Sequence, residues 1–131
     1  MVHRMTARFE ITTDPIRNQL DVVLSGFFTV DDVRRYHAGV NAATGTLSGL
    51  PRDQQMVCDV SEMCIQSQEV VAAFQQVMAD PRYRQRRVAF VAASTLARKQ
   101  VQRVIGARTA AILASRAEAL AWLDARAAHA A

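Results

Sequence analysis

The chain has 131 residues, half of them hydrophobic and 21% charged, which excludes an intrinsically disordered polypeptide and suits one folded domain burying roughly two-thirds of its unfolded surface. Its 16 Lys and Arg against 12 Asp and Glu leave a net charge of +4, too small an excess for a dedicated polyanion binder. Cys58 and Cys64 have no further cysteine or histidine ligand beside them, so they fit neither a zinc site nor a disulfide scaffold and read as two reduced, packed thiols. Ala7, Phe9 and Ile11 alternate with Arg8, Glu10 and Thr12, the period-2 pattern of a strand with one buried face. Asp14-Pro15 breaks that pattern, and a second apolar run at 20–24 makes an antiparallel hairpin with the first.

Thr29-Val30-Asp31-Asp32 has the form of a helix N-cap, with a hydroxyl for a free backbone N–H and acids at the positive helix end. The helix that follows carries an apolar stripe of Val30, Val33, Tyr36, His37, Val40 and Leu47. Residues 44–52, with Gly45, Gly49 and Pro51, form the longest irregular stretch. A third strand is expected over 55–60, entering a loop at Ser61-Glu62-Met63-Cys64. Gln66 or Ser67 opens a second helix whose Val70, Val71, Phe74, Val77 and Met78 face the core, and Asp80-Pro81 stops it.

The run 88–93 is apolar on both faces, as a central parallel strand must be. Ser94 or Thr95 caps a third helix, with Leu96, Val101, Val104 and Ile105 turned inward and Gly106 at its end. A last strand spans 109–114. Ser115 and Glu118 then form a capping box for a terminal helix anchored by Leu120, Trp122 and Leu123. The order is β-β-α-β-α-β-α-β-α: an α/β fold with a mixed five-stranded sheet in one domain over 1–131, flexible at 1–6 and 125–131. Right-handed crossovers between successively added strands place every helix on one face, giving two layers.

In such sheets ligands and partners meet the edge formed by the C-terminal strand ends. That edge should gather Gly26, Phe27, Asp59, Ser61, Glu62, Ser67, Ser94, Thr95 and Arg98, the hydroxyl residues doubling as helix caps. Arg98, Lys99, Gln102 and Arg103, with Arg108 nearby, make a basic strip on the third helix, read either as a solvated face or as a dock for an acidic partner. Arg82, Arg84, Arg86 and Arg87 fall at the opposite edge, which argues against one continuous nucleic-acid groove. His3, His37 and His129 have no metal-ligand spacing, and no glycine-rich loop opens a helix, so neither metal nor cofactor is expected. His37 reads as a half-buried, hydrogen-bonded imidazole. No run reaches the roughly 18 apolar residues of a membrane span, and no signal peptide is visible, so a cytoplasmic protein is expected.

Four segments resemble the STAS and SpoIIAA-like family of bacterial anti-sigma factor antagonists. They are 20–28 with its glycine turn, 56–61 ending in Asp-x-Ser, 87–93 in the centre of the sheet, and 118–123 in the last helix. The resemblance implies a non-enzymatic, regulatory protein–protein interaction domain with a kinase-like partner. It also implies a phosphorylated serine within Asp-Ser-Ser-Gly at the start of the helix after the third strand. Sliding that pattern along from Asp59 puts Ser67, Gln68, Glu69 and Val70 at its four positions, so Glu69 replaces the acceptor and only Ser67 or Ser61 could serve a shifted version. Two alternatives stand beside this reading. A small-ligand or lipid-binding module needs a cavity above roughly 300 Å³ between sheet and helices. A hydrolase-like enzyme would use Asp59 or Glu62 with Ser61, yet has no adjacent base. A homodimer through an uncovered sheet face, exposing Phe9 and Ile11 or their alternates, is a further expectation.

Overall fold

In the computed structural model, which describes residues 6–106 and 110–130, the strands lie side by side in chain order. They are β1 (Arg8–Asp14), β2 (Gln19–Gly26), β3 (Gln55–Met63), β4 (Arg87–Val91) and β5 (Ala111–Leu113). β1 and β2 pair antiparallel with Phe9 opposite Leu24 and Ile11 opposite Val22. The remaining neighbours are parallel, as helical crossovers require. The helices are α1 (Val30–Thr44), α2 (Gln68–Ala79), α3 (Pro81–Gln85), α4 (Thr95–Ile105) and α5 (Arg116–Ala130). The expected order is therefore observed, with α3 added. Residues His3, Arg108 and Thr109, named above, lie outside the described residues, as do the side chains of Arg84 and His129.

Alternation along the strands divides the core in two. Leu20, Val22, Leu24, Met56, Cys58, Val60, Val88 and Phe90 point to one face, where Val33, Tyr36 and Val40 of α1, Val70, Phe74, Val77 and Met78 of α2 and Val101 of α4 cover them. Val57, Ala89 and Val91 point to the other face and pack against Ala119 and Leu123 of α5. The one-face expectation thus holds for the crossover helices and is corrected for α5. The handedness rule applies only to a helix that connects two parallel strands. Among the described residues α5 does not connect two parallel strands, and it covers the face that the crossovers leave open, where β3 and β4 are apolar. Over β1 this second face stays open: Arg8, Glu10 and Thr12 are exposed, while Phe9 and Ile11 turn inward under α1.

Two further expectations are corrected and one is extended. β3 runs on through Ser61 and Glu62 to Met63, where a loop was expected, because its register with β2 shifts between Val23 and Ser25 and pairing resumes at Ser25–Glu62 and Gly26–Met63. Leu96, expected inward, is 65% exposed, and Gln100 occupies the buried position one turn later. Asp80-Pro81 ends α2 as expected but also starts α3, since proline at the first helical position costs no hydrogen bond. α3 puts the buried Tyr83 hydroxyl 2.6 Å from that of Tyr36.

The Asp80 carboxylate joins these elements. It accepts from the Arg82 backbone N–H (2.9 Å) and from the Arg82 side chain, and lies 3.1 Å from His37 Nε2. The Arg82 guanidinium, helped by the backbone N–H and by His37, holds its pKa at about 2 against an ordinary 3.8, although partial burial works the other way. A carboxylate whose folded pKa is depressed contributes stability above its unfolded pKa and loses it as pH falls through the folded one. Asp80→Asn keeps both caps, since asparagine also caps helices, and removes the charge. Urea unfolding should show the variant less stable than the parent by about 1–2 kcal/mol at pH 7, discounted because Arg82 is half in water, with the gap closing between about pH 4 and pH 2. A gap independent of pH would mean the charge is not what matters.

Candidate protein-docking rim

The C-terminal ends of β2, β3 and β4 and the starts of α1, α2 and α4 meet along one rim. Each helix start is satisfied locally. The Thr29 hydroxyl accepts from Asp32 N–H while the Asp32 carboxylate accepts from Thr29 N–H, and the Ser67 and Ser94 hydroxyls accept from Val70 and Ala97 N–H at 3.2 and 3.1 Å. Ser115 caps α5 in the same way through Glu118 N–H. Thr29, Ser67, Ser94 and Ser115 are therefore occupied as caps, which consumes donors that an anion would otherwise use, whereas Ser61 lies in β3 and Thr95 follows the cap of α4.

Two buried glutamines tie the rim together. Gln66 Oε1 accepts from Phe28 N–H (2.8 Å), and its Nε2 donates to the carbonyls of Gly26 (2.9 Å) and Cys64 (2.7 Å). Gln100 Oε1 accepts from Gln66 N–H (2.7 Å), and its Nε2 donates to the Cys64 carbonyl (3.2 Å). Gly26 turns the chain out of β2 with φ +83°, a conformation that a side chain would resist. Around this polar knot the three connected segments expose large apolar side chains: Phe27 (44%), Ile65 (52%) and Leu96 (65%). Ser67, Glu69, Ser94, Thr95 and Lys99 are exposed beside them.

The remaining candidates part company. Asp59 lines a cleft of about 250 Å³ on the second sheet face with Thr12, Asp21, Val23, Val57 and Arg116, and its Oδ1 accepts from Ser61 N–H. The Ser61 hydroxyl points to the Val91 carbonyl at 3.5 Å rather than to any base, and Glu62 is exposed. Arg98, expected to face outward in the basic strip, is corrected: it is half-buried and donates to the Ala92 (3.3 Å) and Ile112 (3.0 Å) carbonyls, just past β4 and within β5. Only Lys99, Gln102 and Arg103 of that strip are exposed, and the Arg103 carbonyl accepts from Gln75. His37 is half-buried and bonded to Asp80, as expected.

Beneath α2 and α4 lies an apolar cavity of about 50 Å³, lined by Tyr36, Met56, Cys58, Met63, Phe74 and Gln100 among others. It falls far short of the ligand-sized volume that the small-molecule reading requires. Burial pushes the Cys58 thiol up to about 12, so it stays protonated and unreactive. Among the described residues no three His, Cys, Asp or Glu side chains are grouped to hold a metal ion, and no helix is long and apolar enough to cross a membrane. Reading the residues alone missed Gln66 and Gln100 as rim ties and missed Ile65. Polar amides and a lone apolar residue in a loop carry no periodic signal.

No protein-family model matches the chain, and no curated protein matches it significantly. Solved structures do. A protein of the DUF3478 family from Shewanella loihica PV-4, described as having a SpoIIAA-like fold, is 15% identical over 90% of this chain and 95% of its own, with a TM-score of 0.67. An anti-sigma factor antagonist from Mycobacterium paratuberculosis is 12% identical over 89% and 95%, with a TM-score of 0.61. The anti-sigma factor antagonist SpoIIAA in its unphosphorylated form is 15% identical over 92% and 97%, also with a TM-score of 0.61. Strand order, parallel pairing and the helical layer over one face agree with these likenesses: the chain has the SpoIIAA-like fold.

Proposed function

We propose that this chain is a non-enzymatic regulatory domain that recognises a partner protein through the rim at the C-terminal strand ends. The observation that carries the reading is that Phe27, Ile65 and Leu96 are exposed on three segments that Gln66 and Gln100 bind to one another. Apolar side chains exposed on the same segments as the exposed Ser67, Glu69, Ser94 and Lys99 have the composition of a protein interface. The likeness to anti-sigma factor antagonists makes a regulatory, kinase-like protein the first partner to test. With Glu69 where the phosphorylated serine of that pattern stands, switching by phosphate at that position does not carry over. The basic strip contributes less than its sequence suggests, because Arg98 is spent on backbone carbonyls.

The test is affinity capture followed by native mass spectrometry of the complex. A partner held in fixed stoichiometry should bind more than tenfold more weakly to an Ile65→Glu, Leu96→Glu variant, as expected for loss of central apolar anchors. Both positions are exposed, so the variant should unfold at the parental temperature. A partner retained by that variant, or no stoichiometric partner at all, overturns the proposal.

A further inference from the structure

We infer that Gln66 and Gln100 are positioning residues that form a relay, coupling the α4 side of the rim to the β2–α1 segment that Gln100 does not itself touch. For its purpose this rests on the docking reading; for its existence it rests on the hydrogen bonds alone. Gln100 stands one helical turn after the exposed Leu96 and is 8% exposed; its side chain holds the Gln66 backbone N–H and the Cys64 carbonyl. Gln66 is 5% exposed and passes the constraint on: its side chain holds Phe28 N–H and the Gly26 carbonyl, on either side of the exposed Phe27. Ile65 lies between the two residues, Cys64 and Gln66, whose backbone groups the relay grips.

Both amides use both ends: each carbonyl oxygen accepts once, the Gln66 NH₂ donates twice and the Gln100 NH₂ once. In a site screened from water a broken link leaves an orphaned donor or acceptor, so the network is held together or released as a unit. Displacing α4 withdraws the acceptor from Gln66 N–H, and a Gln66 that moves releases Phe28 N–H in turn. A partner that engages Leu96 is then felt at Phe27, and the coupling is reciprocal because it is a difference in binding free energy. The apolar cavity under α2 and α4, walled partly by Met56, Met63 and Met78, leaves α4 room to make that movement.

Amide hydrogen exchange followed by NMR on the free chain tests the relay without any partner, so its failure and the failure of the docking reading are separate results. Gln100→Met keeps the length of the side chain and removes both polar groups. It should accelerate exchange at Gln66 and at Phe28 by at least tenfold, with Met56 and Val88 in the sheet unchanged. Phe28 protection unchanged in Gln100→Met overturns the relay. Acceleration of Phe28 and Met56 by the same factor overturns it equally, by showing global loosening.

Discussion

Leu123→Ala should lower the stability of the chain by about 3 kcal/mol and its melting temperature by about 10 °C. Leu123 is fully buried, and with Ala119 it is the central contact of α5 with Val57, Ala89 and Val91 on the second sheet face. Removing a fully buried leucine loses the transfer free energy of its methyl groups and leaves a cavity, together about 2–5 kcal/mol in a core that cannot collapse. A terminal helix can settle inward a little, which keeps the expected value in the lower half of that range. Since a domain of this size is stable by about 5–15 kcal/mol in all, the loss is a large fraction. Trp122→Ala removes a larger side chain that is only half-buried, under the Arg126 guanidinium, and should cost less. Urea unfolding by far-UV circular dichroism decides the matter. An unchanged slope with a shifted midpoint marks α5 as part of the cooperative unit, whereas a midpoint within experimental error of the parent would mean that α5 contributes nothing to the core.

That result bears on how the fold reads from residues. The strands and crossover helices were legible because burial writes itself as a period: alternation at Phe9 and Ile11, three-and-four spacing at Val33, Tyr36 and Val40, and a run apolar on both faces at Val88 to Val91. The double apolarity of β4 in fact implies cover on both faces, and α5 is the element that supplies the second cover. The one-face expectation extended a rule about crossovers to α5, which joins no two of the described strands. Register shifts and short helices leave no comparable trace. Ser61 and Glu62 look like loop residues until the irregularity opposite Val23 and Ser25 returns them to the ladder, and α3 is too short for a period.

The rim was legible in outline and not in its chemistry. Its place follows from parallel strands alone, and Ser67, Ser94 and Thr29 sit at helix starts as their residue types require. What residue type could not reveal is which polar groups are already spent. Arg98 looks like a surface cation and instead clamps the chain just past β4 to β5; Gln66 and Gln100 look like surface amides and are buried ties. Leu96 follows the apolar spacing of α4 yet lies in its first turn, beyond the end of β4, where no layer remains to cover it. The same placement that defeats the periodic expectation makes it available to a partner.

Gly39→Leu should destabilise the chain by about 3 kcal/mol, whereas Gly39→Ala should leave it nearly unchanged. Gly39 lies inside α1 against β1, and a Cβ there would sit 2.9 Å from Ile11 Cδ1 and 3.6 Å from Phe9 Cε1. For alanine the nearer neighbour is the free end of a flexible side chain, which can turn aside. The roughly 1 kcal/mol of helix propensity gained over glycine offsets that adjustment. Leucine adds three further carbons where Ile11 and the Phe9 ring already stand, and Phe9 is itself held edge-on against Tyr36 at 6.0 Å. The only relief is for α1 to lift from β1, which strains the Tyr36–Tyr83 hydroxyl contact and shifts Phe28 and the Thr29 cap at the rim. Thermal unfolding of the two variants beside the parent separates the effects, and Gly39→Leu melting as high as Gly39→Ala would show that α1 does not rest on β1 through this residue.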